Sequence, residues 1–320
     1  MTFSLVIPVF NEQETLEYSF DRLIKVLQGS FFAKYSRIEM ILVNDGSRDK
    51  TPQLLEKLLR RSPVGPVHLK VLHFSRNFGH SNAVLAGLEA ATGEEIGIID
   101  ADLQDPPELL PEMLAHLGEA DVVYGQRLHR EAESFFKRTS AWAFYRLLNF
   151  MTGIEIPKDT GDFRVITRDV LKAVLQCREQ NPFLRGLVAW VGFRQKAFPY
   201  NRQARQFGVT KYTLKKMIRF AMQALLSFSL VPLRLSIYLG LFTMLGSVGL
   251  TAWAIFRHLS GGTVPGWTSM VVLFLFVQSI TLLMIGVIGY YVGQIHLGVQ
   301  GRPRYILRET APRGGGNARV

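Results

Sequence analysis

Apolar runs about the length of a strand alternate with amphipathic runs about the length of a helix through the N-terminal part of the chain. The strand candidates are residues 3–9, 37–43, 67–74, 95–99 and 121–124, each rich in Val, Ile, Leu or Phe. Helix candidates lie between them at 12–28, 52–61, 81–91 and 107–117, the second with Thr51 as N-cap and Pro52 in its first turn. Such alternation predicts an α/β fold with a mostly parallel central sheet. In open sheets of this kind ligands gather beyond the carboxyl ends of the strands, so the residues that follow each strand are where chemistry is expected.

The last third of the chain has a different pattern. Residues 235–256 carry no charge, and 267–292 form a second uncharged stretch. Each exceeds the roughly 20 residues that span a bilayer core, so both are expected to be transmembrane helices. The alternative is a pair of buried core helices. Gly240, Gly246, Gly249, Gly286 and Gly289 inside the two runs favour helices packed together in lipid. Lys215, Lys216, Arg219 and Arg234 precede the pair, Arg302, Arg304 and Arg308 follow it, and the connector 257–266 has only Arg257. The positive-inside rule therefore predicts a multi-pass protein of the inner membrane with the N-terminal domain and both termini cytoplasmic.

Two further segments read as interfacial. Across 211–231, Lys211, Lys215 and Arg219 recur every fourth position, opposite a stripe of Leu214, Ile218, Ala221, Leu225 and Phe228. Residues 134–151 place Phe135, Phe136, Trp142 and Phe144 beside Lys137, Arg138 and Arg146; headgroup contact, packing on the catalytic domain and packing on a second copy stay open. The expected division is a catalytic domain at 1–210, an interfacial helix at 211–234, a transmembrane hairpin at 235–292 and a basic tail at 293–320. Disorder is expected from Pro312 onward.

The formal net charge of +11 changes the picture only when located. No Asp or Glu occurs from Gln180 through Arg308, where the basic residues concentrate. Basic residues that flank membrane runs argue for anionic lipid or phosphate and against a nucleic-acid partner. The single cysteine, Cys177, cannot form an intrachain disulfide, and the histidines show no metal-site spacing. The first ten residues carry no basic region of the signal-peptide kind.

Three strand exits carry candidate chemistry. Pro8-Val9-Phe10-Asn11-Glu12 turns the first strand into a helix whose free N–H groups can meet a ligand. Asn44-Asp45-Gly46-Ser47-Arg48-Asp49 follows the second strand, and Asp45 can accept from a base or ribose, or simply cap the turn. After the fourth strand come Asp100-Ala101-Asp102 and Leu103-Gln104-Asp105-Pro106-Pro107-Glu108. Two carboxylates so spaced can share a hard divalent cation whose other ligands are diphosphate oxygens and water.

Together with Ser75-Arg76-Asn77-Phe78-Gly79-His80, Gly125-Gln126-Arg127, Thr160-Gly161-Asp162-Phe163-Arg164 and the run from Arg202 to Tyr212, these segments resemble the successive motifs of family 2 glycosyltransferases. The likeness is nearest to the polyprenyl-phosphate glycosyltransferases, a group that includes bactoprenol glucosyltransferases and dolichol-phosphate mannose synthases. The resemblance implies a GT-A fold, a nucleotide diphosphate sugar donor, Mg²⁺ or Mn²⁺ and inversion at the anomeric carbon. It assigns Pro8, Asn11, Glu12, Asp45, Asp100, Ala101 and Gln104 to the nucleotide sugar, and Asp102 with Asp100 to the metal. Arg127, Asp162, Arg202 and Arg205 would line the reaction centre. Asn44 stands where aspartate is usual, and His80 where lysine is usual.

The expected reaction moves a hexose, first of all glucose from UDP-glucose, onto undecaprenyl or another polyprenyl phosphate, for cell-envelope or O-antigen modification. Whether Asp162 acts as base or positioning group stays open; Arg202 and Arg205 are read as binding the acceptor phosphate, with headgroup contact as the alternative. The resemblance also implies a homo-oligomer, as a tetramer. Competing readings are a processive polysaccharide synthase, disfavoured by having only two spans, and a non-catalytic lipid-carrier or flippase subunit, disfavoured by the Asp100/Asp102 pair.

Overall fold

The computed structural model describes residues 1–128, 160–180, 182–201, 231–260 and 266–308. Arg202, Arg205, the segments 134–151 and 211–230 and the tail from Pro312 lie outside the described residues.

Seven strands form one sheet: β1 (Thr2–Val9), β2 (Arg37–Asn44), β3 (Val67–His73), β4 (Glu95–Ile98), β5 (Val122–Arg127), β6 (Thr160–Thr167) and β7 (Gln195–Tyr200), in the order β3-β2-β1-β4-β6-β5-β7. The sheet is parallel except for β6, which runs antiparallel to β4 and to β5. Helices α1 (Leu16–Leu27), α2 (Thr51–Leu59), α3 (His80–Ala90), α4 (Leu110–Ala115), α5 (Arg168–Gln176) and α6 (Leu184–Trp190) cover it. All five strands expected from the sequence are present. β6 and β7 were not foreseen, because Arg164 and Asp162 interrupt the apolar run of the first and Lys196 and Pro199 that of the second.

Side chains alternate across the sheet with the two-residue period of a strand. Along β1, Phe3, Leu5, Ile7 and Val9 join the apolar cluster that includes Phe20 and Leu23 of α1, Leu55 and Leu58 of α2 and Met113 of α4. Val6 points to the other face, with Ile41, Val43, Ile96 and Ile98, against α3, α5 and α6. Glu39 is a buried carboxylate on β2: it accepts from Ser4 Oγ at 2.8 Å, Thr92 N at 2.9 Å and Thr92 Oγ1 at 2.7 Å. With those donors in place its carboxylate is satisfied without water.

Helix α1 begins at Leu16, four residues later than the periodicity of 12–28 suggests. The N–H groups of Asn11, Glu12 and Gln13 are taken by Ser47 Oγ, Thr51 Oγ1 and Asp49 Oδ2, and Asn11 adopts φ +53°. These side chains stitch the exit of β1 to that of β2 instead of letting a helix start there.

A separate unit holds α7 (Val231–Leu259) and α8 (Trp267–Val299), which extend the uncharged stretches at their ends. Within them Ser236–Arg257 and Phe276–Val299 are long and apolar enough to cross a membrane. Among the described residues of these spans none is buried, and Phe242 and Phe276 are 74% and 61% exposed. A core helix of a soluble domain would not leave such surface bare. After α8 the chain rejoins the first unit at Pro303.

Candidate active site

The direction of β6 places the central carboxylates. Parallel strands deliver their last residues to the ligand edge of the sheet, whereas β6 delivers its first. β4 and β6 pair through Ile98 and Arg164, and Asp100 and Asp162 each lie two residues beyond that pair. On its other side β6 pairs through Tyr124 with Arg164 and then Gln126 with Thr160, so β6 carries two extra residues opposite β5. Asp162 sits in that irregularity, the kind of bulge that re-aims a side chain.

Asp162 is buried among three cations. Arg185 of α6 donates from Nε to Oδ1 at 3.0 Å, His80 Nε2 lies 2.9 Å from Oδ2, and Arg164 Nη2 lies 3.6 Å from Oδ1. Burial works against the charge on Asp162, but Arg185, His80 and Arg164 outweigh it and hold the acid well below the usual carboxylate range. Arg164, only 3% exposed, is itself drawn down to about 10 by burial, so it stays charged. His80 is pulled down by its surroundings but raised further by Asp162 and Asp100, reaching about 9; it is an imidazolium at neutral pH.

Asp100 has the opposite environment. Burial and the neighbouring Asp162, Asp105 and Asp102 raise it to about 6 against the pull of His80, whose Nε2 is 3.6 Å from Oδ1. Asp100 Oδ1 is buried and accepts no hydrogen bond from the described residues. Asp102 Oδ1 accepts from Gln104 N at 3.2 Å, across a turn in which Leu103 takes φ +44°. Such backbone conformations persist where surroundings over-determine them, commonly at functional sites. Ala101 is buried and its carbonyl accepts from Ser19 Oγ at 2.8 Å. Among the described residues no three His, Cys, Asp or Glu side chains converge on a metal. An orphaned carboxylate oxygen amid crowded acids nonetheless fits a hard cation that draws its remaining ligands from a diphosphate.

A second cluster holds Arg127 at the end of β5. Asp105, wholly buried, accepts from the Tyr200 hydroxyl and lies 3.5 Å from Arg127 Nη2, while Arg127 Nε donates to Tyr200 Oη at 3.4 Å. Gly161 admits the guanidinium: a Cβ there would lie 2.5 Å from Arg127 Nη2. Glu108 in turn takes a bidentate pair from Arg22, both bonds 2.7 Å, tying α1 to the segment after β4.

At the β2 exit Asp45 is buried and accepts from Phe78 N at 2.7 Å, Gly79 N at 3.1 Å and Asn77 Nδ2 at 2.8 Å. It anchors the loop after β3 against β2. Gly46, with φ +66°, permits this approach, since a Cβ would lie 2.3 Å from the Arg76 carbonyl carbon. Pro8 is buried in β1, and Asn11 Oδ1 accepts from Arg48 N at 2.9 Å, while Glu12 Oε2 accepts from Thr15 Oγ1 at 2.7 Å.

The structure thus gathers Asp100, Asp162, Arg127 and their partners, and sets Asn11, Glu12 and Asp45 at neighbouring strand exits. Sequence reasoning missed Arg185, Arg164, Asp105 and Tyr200 as parts of the site. Arg164 left a signal, a charge inside an apolar strand that demands a buried counter-ion; Arg185 left none.

A family model described as glycosyl transferase family 2 matches residues 4–175. An uncharacterized glycosyltransferase of Bacillus subtilis, YkcC, is 42% identical over 96% of this chain and 94% of its own. A prophage-derived bactoprenol glucosyl transferase of Shigella flexneri is 36% identical over 97% of this chain and 98% of its own. Among solved structures, a mannosyltransferase of Pyrobaculum calidifontis with GDP-Man and Mn²⁺ aligns at TM-score 0.47 and 17% identity, covering 92% of this chain and 86% of the other. The chain belongs to glycosyl transferase family 2, with the GT-A fold that membership entails.

Proposed function

We propose that this enzyme transfers a hexose, glucose from UDP-glucose in the first instance, to the phosphate of a polyprenyl phosphate such as undecaprenyl phosphate, with inversion at the anomeric carbon. The observation that carries the reading is the meeting at one sheet edge of a buried acidic oxygen without a hydrogen bond, Asp100 Oδ1, with a fully ion-paired Asp162. Near-full-length similarity to proteins named for bactoprenol glucosyl transfer supports the acceptor class. Two helices able to cross a membrane support an acceptor drawn from lipid and an inner-membrane location.

In this reading Asp100 and Asp102 hold Mg²⁺ or Mn²⁺, and Pro8, Asn11, Glu12, Asp45, Ala101 and Gln104 border the donor. When bound, the metal supplies positive charge to the departing diphosphate. An oxygen of the acceptor phosphate forms its bond to the anomeric carbon from the face opposite the nucleotide, and the bond to the diphosphate oxygen breaks with its electron pair. A phosphate monoester loses its second proton near pH 6, so the acceptor is a dianion at neutral pH and needs no strong base. Asp162, locked in ion pairs, is a poor proton acceptor and serves to position His80 and Arg185. Arg127, steadied by Asp105 and Tyr200, faces the reacting groups, and Arg202 and Arg205 are assigned to the acceptor phosphate.

The test uses the full-length protein in detergent with labelled UDP-glucose and undecaprenyl phosphate. The expected result is a lipid-extractable glucosyl phosphate of inverted configuration, abolished by chelation and restored by Mn²⁺ or Mg²⁺. Failure of UDP-glucose alongside transfer from UDP-N-acetylglucosamine or GDP-mannose would correct the sugar; transfer only to a water-soluble acceptor would end the proposal.

A further inference from the structure

The chain past the two apolar helices does not trail away from the catalytic unit. Phe74, just beyond β3, forms an antiparallel bridge with Leu307; Ser75 N donates to Ile306 O at 2.9 Å, and Arg308 N to His73 O at 2.7 Å. Tyr305 stacks on Phe74 with ring centroids 4.9 Å apart and donates its hydroxyl to Glu89, and Arg304 donates to the Cys177 carbonyl. Two of the three arginines that sequence reading counted as a membrane flank are therefore docked on the glycosyltransferase domain. This short strap adds a strand-like edge to the sheet.

The strap also walls a cavity of about 250 Å³ at the exits of β2 and β3, lined by Ser47, Arg48, His73, Arg76, Asn77 and Arg308 among others. Neither Arg48 nor Arg308 has a carboxylate partner among the described residues. The lining is thus rich in donors and calls for a ligand rich in acceptors. In the sheet order β2 lies two strands and β3 three strands from β4. At about 4.8 Å per strand the cavity is roughly 10–14 Å from the Asp100 edge, the span from a metal-bound diphosphate to the base it carries.

We propose that the strap closes the donor pocket and that Arg308 contacts the carbonyl-bearing edge of the donor nucleoside, making a residue from beyond the membrane hairpin a determinant of donor binding. This rests on the donor reading above, and the experiment separates the two. Binding of UDP, uridine and inorganic diphosphate is measured calorimetrically on full-length protein in detergent, for the wild type, Arg308→Ala and Tyr305→Ala, with thermal unfolding as a check on folding. Arg308→Ala should weaken UDP and uridine alike by about tenfold, the size of a lost charge-assisted bond, and leave the KM for undecaprenyl phosphate unchanged. Tyr305→Ala should act in the same direction by loosening the strap. Unchanged uridine and UDP affinity in Arg308→Ala would overturn the inference while the proposed reaction stands. Weakening of diphosphate without uridine would overturn the nucleoside assignment. A wild type that binds no nucleotide would sink the donor reading itself.

Discussion

The two halves of the sheet handle charge in opposite ways. From β3 to β4 the strands are parallel and their buried positions mostly apolar, Ser4 and Glu39 near the strand starts excepted, and the loops at the exits tie to one another through Ser47, Thr51, Asp49 and Asp45. In β6-β5-β7 charge lies within and between the strands: Asp162, Arg164, Arg127 and Asp105 neutralise one another in the interior. Asp100 and Asp162 meet where the halves join, one raised by burial and the acids around it and the other lowered by cations that outweigh its burial. Two identical side chains are thereby pushed in opposite directions, so environment, not residue type, sets how readily each one ionises.

The sharpest way to break that contrast is to neutralise each acid. Asp162→Asn leaves Arg164 buried without its nearest counter-charge, so stability should fall by about 3–5 kcal/mol and turnover by at least about 100-fold. Asp100→Asn should cost comparable turnover, yet unfold at the same or a higher temperature in metal-free buffer, because a crowded acid has been removed. Equal destabilisation by both, in thermal unfolding, would refute the comparison.

Smaller effects sharpen it. Arg185→Ala removes one charge-assisted partner of Asp162 and should lower turnover by about 10- to 100-fold, with Arg185→Lys partly recovering it. Asp105→Asn should lower turnover by about tenfold through a freed Arg127, with donor affinity unchanged. In the apolar half, Glu39→Gln should cost about 1 kcal/mol at neutral pH. Glu39 is pushed up by burial but lowered on balance by Thr92 and Ser4. A carboxyl lowered by folding stabilises fully above its unfolded value, so the difference between variant and wild type should shrink as pH falls below about 4.5 in urea titrations.

The apolar half was legible because burial on both faces leaves continuous Val, Ile and Leu runs, and because turn residues mark every exit. The other half was not, since its strands carry charges that only a tertiary partner excuses. Asp100, Asp102, Asp162 and Arg127 were recognised as motif members, but several of the groups that surround them come from elsewhere in the chain: His80 at the start of α3 and Arg185 of α6 at the two central acids, and Tyr200 of β7 beside Arg127. The start of α1 was misplaced because three side chains beyond β2 claim the N–H groups a helix would otherwise leave to solvent.

The two surplus residues in β6 have an engineering corollary. Since side chains change face at every step, shortening Thr160-Gly161-Asp162-Phe163 by one would rotate the acid to the wrong side of the sheet, while shortening by two would erase the kink that holds it. Libraries that vary loop length should therefore treat this tetrapeptide as incompressible, and alignments that open a gap within it are misreading the chain.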